Sequence, residues 1–147
     1  MASAGLETVG IAELERDMAD LIRRFPAEKK KFMRKQGQEM KKVGKSYAKR
    51  VLHKRTGNLL RGMTLTRPWD KGDETGIAMK FKAPAYHGHL IELGHKQVGH
   101  RPDYVQSGEI KGYSVLVRAK YLFSQQFMKN VDDALIGFIV EKLEGKK

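Results

Sequence analysis

Residues 29–54 read KKKFMRKQGQEMKKVGKSYAKRVLHK. Apolar side chains recur along this stretch at the three- and four-residue spacing of one helix face, and lysines or arginines fill most other positions. The apolar stripe consists of Phe32, Met33, Met40, Val43, Tyr47, Val51 and Leu52. The pattern predicts a long basic helix of about seven turns that ends near Lys54.

A shorter amphipathic segment precedes the basic helix. Its apolar positions are Ile11, Leu14, Met18, Leu21, Ile22 and Phe25. Pro26 follows, and a proline either ends a helix or occupies the first turn of the next one. We therefore expect residues 1–25 to form an N-terminal helical arm that is interrupted at Pro26 before the basic helix begins.

Turn and strand signals follow the basic helix. Gly57 can adopt the left-handed conformation that closes a helix, and Asn58 can then restart a short turn. Residues 63–67 and 77–82 alternate with the two-residue period of half-buried strands. Because residues 70–74 between them form a polar, Gly-containing connection, the two strands are predicted to pair as an antiparallel hairpin.

The C-terminal third of the chain ends in a helix. Residues 85–94 predict a short helix or turn that stops at Gly94, and apolar positions from Tyr121 to Leu143 predict a closing amphipathic helix. Between these elements, residues 95–112 are polar, Gly-rich and weakly periodic. We expect residues 95–118 to form a long exposed loop that contains, near its end, a short third strand where Tyr113, Val115 and Val117 alternate.

These elements fit one domain, because 147 residues is the usual size of a single domain. We predict an α+β fold in which a small antiparallel sheet of three or four strands is packed by the basic helix and the C-terminal helix. The size excludes a two-domain enzyme, and the lack of Cys excludes a disulfide framework and a thiol nucleophile. The sequence has no apolar run near the roughly 18–20 residues of a membrane span and no signal-peptide pattern, so we expect a soluble, cytoplasmic protein.

The net charge of +12 is concentrated in the second quarter of the chain. Residues 1–22 hold five acids and one base, residues 23–61 hold 15 bases and two acids, and residues 62–147 hold 13 bases and ten acids. A basic density of this kind favours a polyanion or an acidic protein neighbour. The candidate DNA-facing or subunit-facing positions are Lys30, Arg34, Lys41, Lys42, Lys45 and Lys49.

A cluster of histidines is the strongest hint of catalytic chemistry. The cluster consists of His87, His89, His95 and His100, with Glu92 among them. On a helix, positions three residues apart drift around the axis and do not converge on one metal ion, and no His-Glu-x-x-His spacing occurs. The sequence also lacks a Gly-x-Ser-x-Gly elbow and a phosphate-binding Gly-rich loop. We therefore expect no metal, no cofactor and no catalytic residues.

Two segments resemble one protein family. Residues 55–59, with Arg61 and Met63, resemble the Arg-Thr-Gly-x-Leu-Arg-x-Ser-Ile signature of the gene-ten-product-like tail and neck proteins of long-tailed bacteriophages and prophages. Residues 86–94 resemble that family's Tyr-x-Gly-His-x-Val-Glu-Phe-Gly-Thr. The positions that carry the likeness are Arg55, Thr56, Gly57, Asn58, Leu59, Gly88, His89, Glu92 and Gly94. The order of elements in the family, a Lys-rich helical half, a hairpin and a C-terminal helix, is also similar.

The resemblance implies a structural protein of the virion, located at the junction of head and tail or in the tail. Proteins of this family act by assembling rings, commonly with six-fold symmetry, and not by catalysis. The implied partners are further copies of the chain, other neck and tail proteins, and phage DNA in the channel, with assembly in the host bacterial cytoplasm and no membrane contact. A free basic nucleic-acid-binding protein is the alternative, and a metal-dependent nuclease built on the histidines is a third hypothesis.

The sequence departs from the family pattern at several positions. Gly62 and His95 stand where the family has Ser and Thr, and residues 119–123 lack the prolines of the corresponding family motif. About 20 extra residues separate residues 86–94 from residues 119–123. Within the motifs, Leu59 and Met63 are expected to fill the junction between helix and sheet. We expect the Glu92 carboxylate to accept hydrogen bonds from backbone N–H groups or from Arg55.

Overall fold

The computed structural model describes residues 4–53, 57–99, 102 and 105–144, with backbone alone for residues 4–14, 17, 21 and 143. The helices are α1 (Ala4–Val51), α2 (Asn58–Gly62), α3 (Gly88–Leu93) and α4 (Val115–Leu143). The strands are β1 (Met63–Leu65), β2 (Trp69–Lys71), β3 (Glu74–Gly76), β4 (Met79–Phe81), β5 (Gly94–Val98) and β6 (Gln106–Lys111). The predicted α+β fold, with small antiparallel sheets between a long N-terminal helix and a C-terminal helix, is confirmed.

Helix α1 continues without a break from Ala4 to Val51, with Pro26 inside it. The predicted interruption at Pro26 is therefore wrong, and residues 1–25 contribute an arm that is continuous with the basic helix. Proline in a helix removes one backbone donor, which leaves the carbonyl of Ile22 without its usual partner. Ile22 is exposed, so water can satisfy that carbonyl, and the neighbouring residues are good helix formers.

The strands pair as three separate antiparallel ribbons. Strand β1 pairs with β4, which places Met63 opposite Phe81, and β2 pairs with β3 at the tip of the same hairpin, which places Trp69 opposite Gly76. The predicted hairpin between residues 63–67 and 77–82 is confirmed. Its tip is more regular than the polar connection expected at residues 70–74, because β2 and β3 extend the pairing up to a turn at Gly72 and Asp73.

The third ribbon corrects the prediction of a long exposed loop at residues 95–118. Strands β5 and β6 pair antiparallel with a register shift between Gln97 and Val98. Nearly all their side chains are exposed, so neither face of the ribbon needs apolar residues. The sequence therefore lacks the apolar alternation that would have predicted these strands. The strand predicted at residues 113–117 is also wrong, because Val115 begins helix α4.

Helices α1 and α4 pack antiparallel along most of α4. The ring centroids of Phe32 and Phe127 are 6.3 Å apart, and those of Phe25 and Phe138 are 6.0 Å apart. The pair is also joined by a polar contact, in which Asn130 Nδ2 donates to Oε1 of the buried Gln36 at 2.6 Å.

The main core lies at the C-terminal end of α1. Ala48, Met63 and Val115 are fully buried there. Partly buried side chains from the end of α1, the hairpin, α2, α3 and α4 pack around them, and these are Tyr47, Leu52, Leu60, Met79, Phe81, Ile91 and Leu116. Among the described residues, no helix is long and apolar enough to cross a membrane.

Candidate functional site

The carboxylate of Glu92 holds the start of helix α4. The backbone N–H of Leu116 donates to both carboxylate oxygens, at 2.9 and 3.1 Å, and the N–H of Val117 donates to Oε1 at 3.2 Å. The first N–H groups of a helix have no partner within the helix, and the helix dipole favours a negative charge beside them. Of the two partners expected for Glu92, backbone N–H groups are confirmed, whereas Arg55 lies outside the described residues.

The turn before α4 explains why a distant carboxylate is needed there. Ser114 occupies the N-cap position with a left-handed backbone (φ 48°), and its side chain makes no capping hydrogen bond. The N–H of Ser114 donates to the carbonyl of Glu92 at 3.1 Å, and the N–H of Tyr113 donates to the carbonyl of Ile91 at 2.8 Å. Helix α3 therefore holds the start of α4 by hydrogen bonds to two backbone carbonyls, those of Ile91 and Glu92, and to the carboxylate of Glu92.

Two motif glycines are required by close approaches in this region. Gly94 ends α3 with φ 84°, and a Cβ placed there would lie 2.4 Å from the carbonyl oxygen of Ile110. Gly88 begins α3 against the ring of Phe81, where a Cβ would lie 2.3 Å from Cγ. His89, between them on α3, is exposed. Gly88 and Gly94 thus act through packing and backbone shape, and the side chain of His89 points to solvent.

The first motif forms the turn into the hairpin. Gly57 has φ 74°, as expected for a left-handed residue, and it precedes α2, in which the Arg61 guanidinium donates to Asn58 Oδ1. Helix α1 ends at Val51, earlier than predicted, while Arg55 and Thr56 lie outside the described residues.

Two apolar positions of the first motif were expected to fill the junction between helix and sheet. Met63 is fully buried there, as expected. Its companion in the core cluster is Leu60, whereas Leu59 is half-buried outside that cluster. Residues 59 and 60 are adjacent in a short helix, so their side chains point about 100° apart and only one of them can face the core.

The two motifs meet around Phe81. Met63 of the first motif is the β-ladder partner of Phe81, and Gly88 of the second motif packs on the Phe81 ring. Gly62, directly before Met63, accepts a hydrogen bond from the N–H of Lys82 at 2.8 Å. Segments that are distant in sequence therefore build one junction between the hairpin, α3 and α4.

The histidines do not form a metal centre in the described part of the chain. His87 and His89 are exposed, His95 is half-buried with Nδ1 buried and unpaired, and His100 lies outside the described residues. Within the described residues, no group of three or more His, Cys, Asp or Glu side chains could hold a metal ion.

The predicted basic face is divided between two sides of α1. Lys42 and Lys49 form one side; they are exposed and, at a spacing of seven, point the same way. Arg34 and Lys41 form the other side, and Lys45 lies between the two and is half-buried. Lys30 belongs to neither, because its Nζ pairs with Oδ2 of Asp70 at 2.7 Å and so lowers the pKa of that carboxyl. The hydroxyl of Thr75 also donates to Asp70 and lowers the same pKa.

The other basic side faces a polar cleft of about 360 Å³ between α1 and β1. Arg34 and Lys41 line it from α1, and Arg67 lines it from the loop after β1, together with the hydroxyl-bearing Thr64 and Thr66. Sequence reasoning missed Arg67 as part of a basic site. The signal was available, because Arg67 is a charged residue at an apolar position of the strand alternation.

Much of helix α4 is apolar and uncovered in its second half. Met128, Leu135, Ile136, Ile139 and Val140 are between 40% and 62% exposed. A helix with apolar residues around most of its circumference is normally covered on more than one side. Within the part of the chain that the structure describes, α4 packs mainly against α1 and, at its start, against α3.

Comparison with protein-family models, with curated protein sequences and with solved structures finds no match to this chain. The likeness to the bacteriophage family therefore rests on residues 55–63 and 86–94.

Proposed function

We propose that the chain is a structural virion protein of the head-to-tail junction or tail of a long-tailed bacteriophage, and that it acts by assembling rings without catalysis. The observation that carries the proposal is the meeting of the two family-like segments around Phe81. Met63 and Gly88 contact this residue from the two segments, and Glu92 of the second segment caps α4. The residues of both motifs thus have structural roles in packing and helix capping, as expected for a protein that acts by assembly and not by catalysis.

The surface of α4 supports assembly with further chains. Exposed apolar side chains that cluster on one element mark interaction sites more often than isolated ones do. Met128 and Ile136 are 60% and 62% exposed, and Leu135 lies between them in sequence at 45%. A ring needs two different complementary patches on each subunit, and this surface supplies one of them.

The basic side of α1 suits a position near DNA or near an acidic neighbour. Lys42 and Lys49 face away from the rest of the chain, and Arg34, Lys41 and Arg67 surround the polar cleft. In a ring around a channel, such a surface would contact phosphates without reading base sequence.

The test is mass spectrometry of density-purified particles from a lysogen or phage lysate that carries this gene. Tryptic peptides of the chain, at a constant low copy number per particle, are expected. A particle made with the gene deleted and complemented by the wild-type chain is the positive control. Absence of the peptides from complete particles would contradict a neck or tail role.

The alternative is a free basic nucleic-acid-binding protein, which the cleft between α1 and β1 favours. The isolated chain would then bind duplex DNA at physiological salt, with affinity falling steeply as salt rises. Replacing Arg34 and Arg67 by Gln should lower the salt slope by about 2, one unit for each lost phosphate contact. The matched pair Lys96→Gln and Lys111→Gln, on the exposed ribbon β5–β6, should leave the slope closer to wild type.

A further inference from the structure

An apolar groove follows the line where α1 and α4 pack, in the half of the molecule far from the core. Its volume is about 590 Å³. The apolar lining includes Phe25, Phe32, Phe127, Val131, Leu135 and Phe138. Lys29, Lys31 and Lys35 form a basic rim on the α1 side, with Glu28 as the one acid among the lining residues. This groove suits an amphipathic segment that brings apolar side chains flanked by carboxylates.

The N-terminal part of α1 is such a segment. We define the arm as residues 4–22 of α1. Met18 and Ile22 are 55% and 68% exposed, and the described side chains of the arm, Glu15 and Asp20 among them, are all exposed. The sequence up to residue 22 holds five acids and one base. The arm is therefore acidic and amphipathic, and the exposure of Met18 and Ile22 leaves its described apolar side chains open to a partner.

The arm extends beyond the reach of α4. Phe25 stacks against Phe138, and from there α4 continues only to Leu143 while α1 reaches back to Ala4. At 1.5 Å per residue, about 24 Å of helix projects past the end of α4. Because the arm is collinear with the α1 wall of the groove, it cannot fold back into its own groove.

We propose that the groove receives the arm of a second copy of this chain. The charges are complementary, since an acidic arm meets a rim that carries Lys31 and Lys35. The lengths also match: the apolar positions of the arm from residue 11 to residue 22 span about 16 Å, and the groove wall from Phe25 to Lys35 spans about 15 Å. Such a contact is a helix laid in a groove, with apolar anchors at three- and four-residue spacing.

The arm and the groove are two different surfaces, so this contact is the kind from which a ring can close. The inference therefore rests on, and deepens, the proposed assembly of rings. It assigns Met18 and Ile22 as the anchors that enter the groove. Glu15 is assigned to the rim, because a spacing of three places it about 60° from Met18, at the edge of the apolar face of the arm.

Charge reversal tests the contact in the full chain. Glu15→Lys should weaken self-association, measured by sedimentation equilibrium, and the rim variant Lys31→Glu with Lys35→Glu should weaken it by about tenfold. Combining the arm and rim reversals in one chain restores opposite charges and should recover association. Asp20→Lys is the matched control, because Asp20 lies on the opposite side of the helix from Met18.

A second control addresses the rim. Lys80→Glu with Lys82→Glu makes the same change in net charge as the rim variant, at exposed positions away from the groove. This pair should leave self-association near the wild-type value. Equal effects of the two lysine pairs would overturn the inference, because general charge repulsion would then account for both.

Disulfide cross-linking identifies the contact directly, since the chain has no native Cys. A mixture of the Met18→Cys and Leu135→Cys variants should form a mixed dimer on mild oxidation, and a mixture of Met18→Cys with Ser46→Cys should not. Cross-linking of Met18→Cys to itself in preference would show that arms pair with arms and would overturn the inference. A wild-type chain that stays monomeric at every concentration tested, with no mixed cross-link, would overturn it as well.

The outcomes for the arm contact and for the virion role are separable. Particles that contain the chain but yield no arm-to-groove cross-link would overturn the inference and leave the proposed function standing. A mixed cross-link in a chain that is absent from particles would support the arm contact and overturn the proposed function.

Discussion

The two halves of the α1–α4 pair differ in how completely their packed side chains are buried. The core half contains the first part of α4, from Val115 to about Gln126, and the outer half contains the rest of α4 and the part of α1 that packs against it. In the core half, α4 presents Val115 and Ala119, which are fully buried, and Phe123, which is 5% exposed.

In the outer half, from Phe127 onward, no described residue of α4 is fully buried, and even Phe127 and Phe138, which pack on phenylalanines of α1, are only half-buried. Apolar side chains on the outward side are exposed in both halves, among them Tyr121 at 71% and Ile136 at 62%. The core half is covered by the hairpin and α3, whereas in the outer half each helix has little more than the other helix to cover it.

One pair of helices can combine a buried core at one end with an open apolar surface at the other. Two helices packed side by side bury one stripe each, and apolar residues elsewhere on their circumference need a third element. The core half has that element within the chain. We infer that the outer half obtains it from another copy.

The largest expected effect is at the centre of the core half. Met63→Ala should lower the free energy of unfolding by about 2–5 kcal/mol, because it removes a fully buried side chain and leaves a cavity. Met128→Ala, in the outer half, should change it by less than about 0.5 kcal/mol in the dilute monomer. Urea unfolding measures both. Similar losses for the two methionines would break the distinction between the halves.

Two glycines extend the comparison to the backbone. Gly94→Ala should cost about 1–3 kcal/mol, because an alanine at positive φ is strained and its Cβ would press on the carbonyl of Ile110. Gly137→Ala, in the open outer half of α4, should instead stabilise the chain by up to about 1 kcal/mol through helix propensity. Thermal unfolding of the two variants should therefore shift in opposite directions.

The cap on α4 should give a smaller loss. Glu92→Gln keeps an acceptor oxygen but removes the charge that faces the N–H groups of Leu116 and Val117, so we expect a loss of about 1–2 kcal/mol. Glu141→Gln, an exposed carboxylate in the outer half, is the matched control and should be near neutral. If Glu92→Gln matched that control in chemical denaturation, the capping role would be wrong.

The smallest effect concerns the contact between the hairpin tip and the outer half. Because Lys30 and Thr75 lower the pKa of Asp70, this carboxyl contributes stability above its ordinary pKa of 3.8, and the contribution is lost as the pH falls through the lowered value. NMR titration should find the Asp70 pKa raised toward 3.8 in Lys30→Gln. An unchanged pKa in that variant would mean that the ion pair does not form in solution.

Sequence reasoning was most successful where the cause was local. Apolar spacing predicted the long basic helix and the β1–β4 hairpin, and the need for a left-handed residue identified Gly57. Burial of a carboxylate among apolar neighbours predicted that Glu92 would accept backbone hydrogen bonds. These inferences depend on a few consecutive residues and on rules that hold in any fold.

The failures have tertiary causes. Val115 and Val117 alternate as a strand would, but the carboxylate of Glu92, more than 20 residues earlier, supplies the acceptor that starts a helix there. Ribbon β5–β6 is exposed on both faces, so it lacks the apolar alternation that makes a strand readable. Lys30 was assigned to a free basic face, and only the folded hairpin brings Asp70 to it.

The location of the charge and the apolar positions of each helix follow from composition and from the 3.6-residue period, so they can be read without a structure. Which of those apolar faces are covered depends on the packing of distant elements. Coverage depends on where the hairpin and α3 come to lie, and they lie against the core half. For that reason Phe123 is 5% exposed, whereas Phe138, which also packs on α1 but lies in the outer half, is only half-buried.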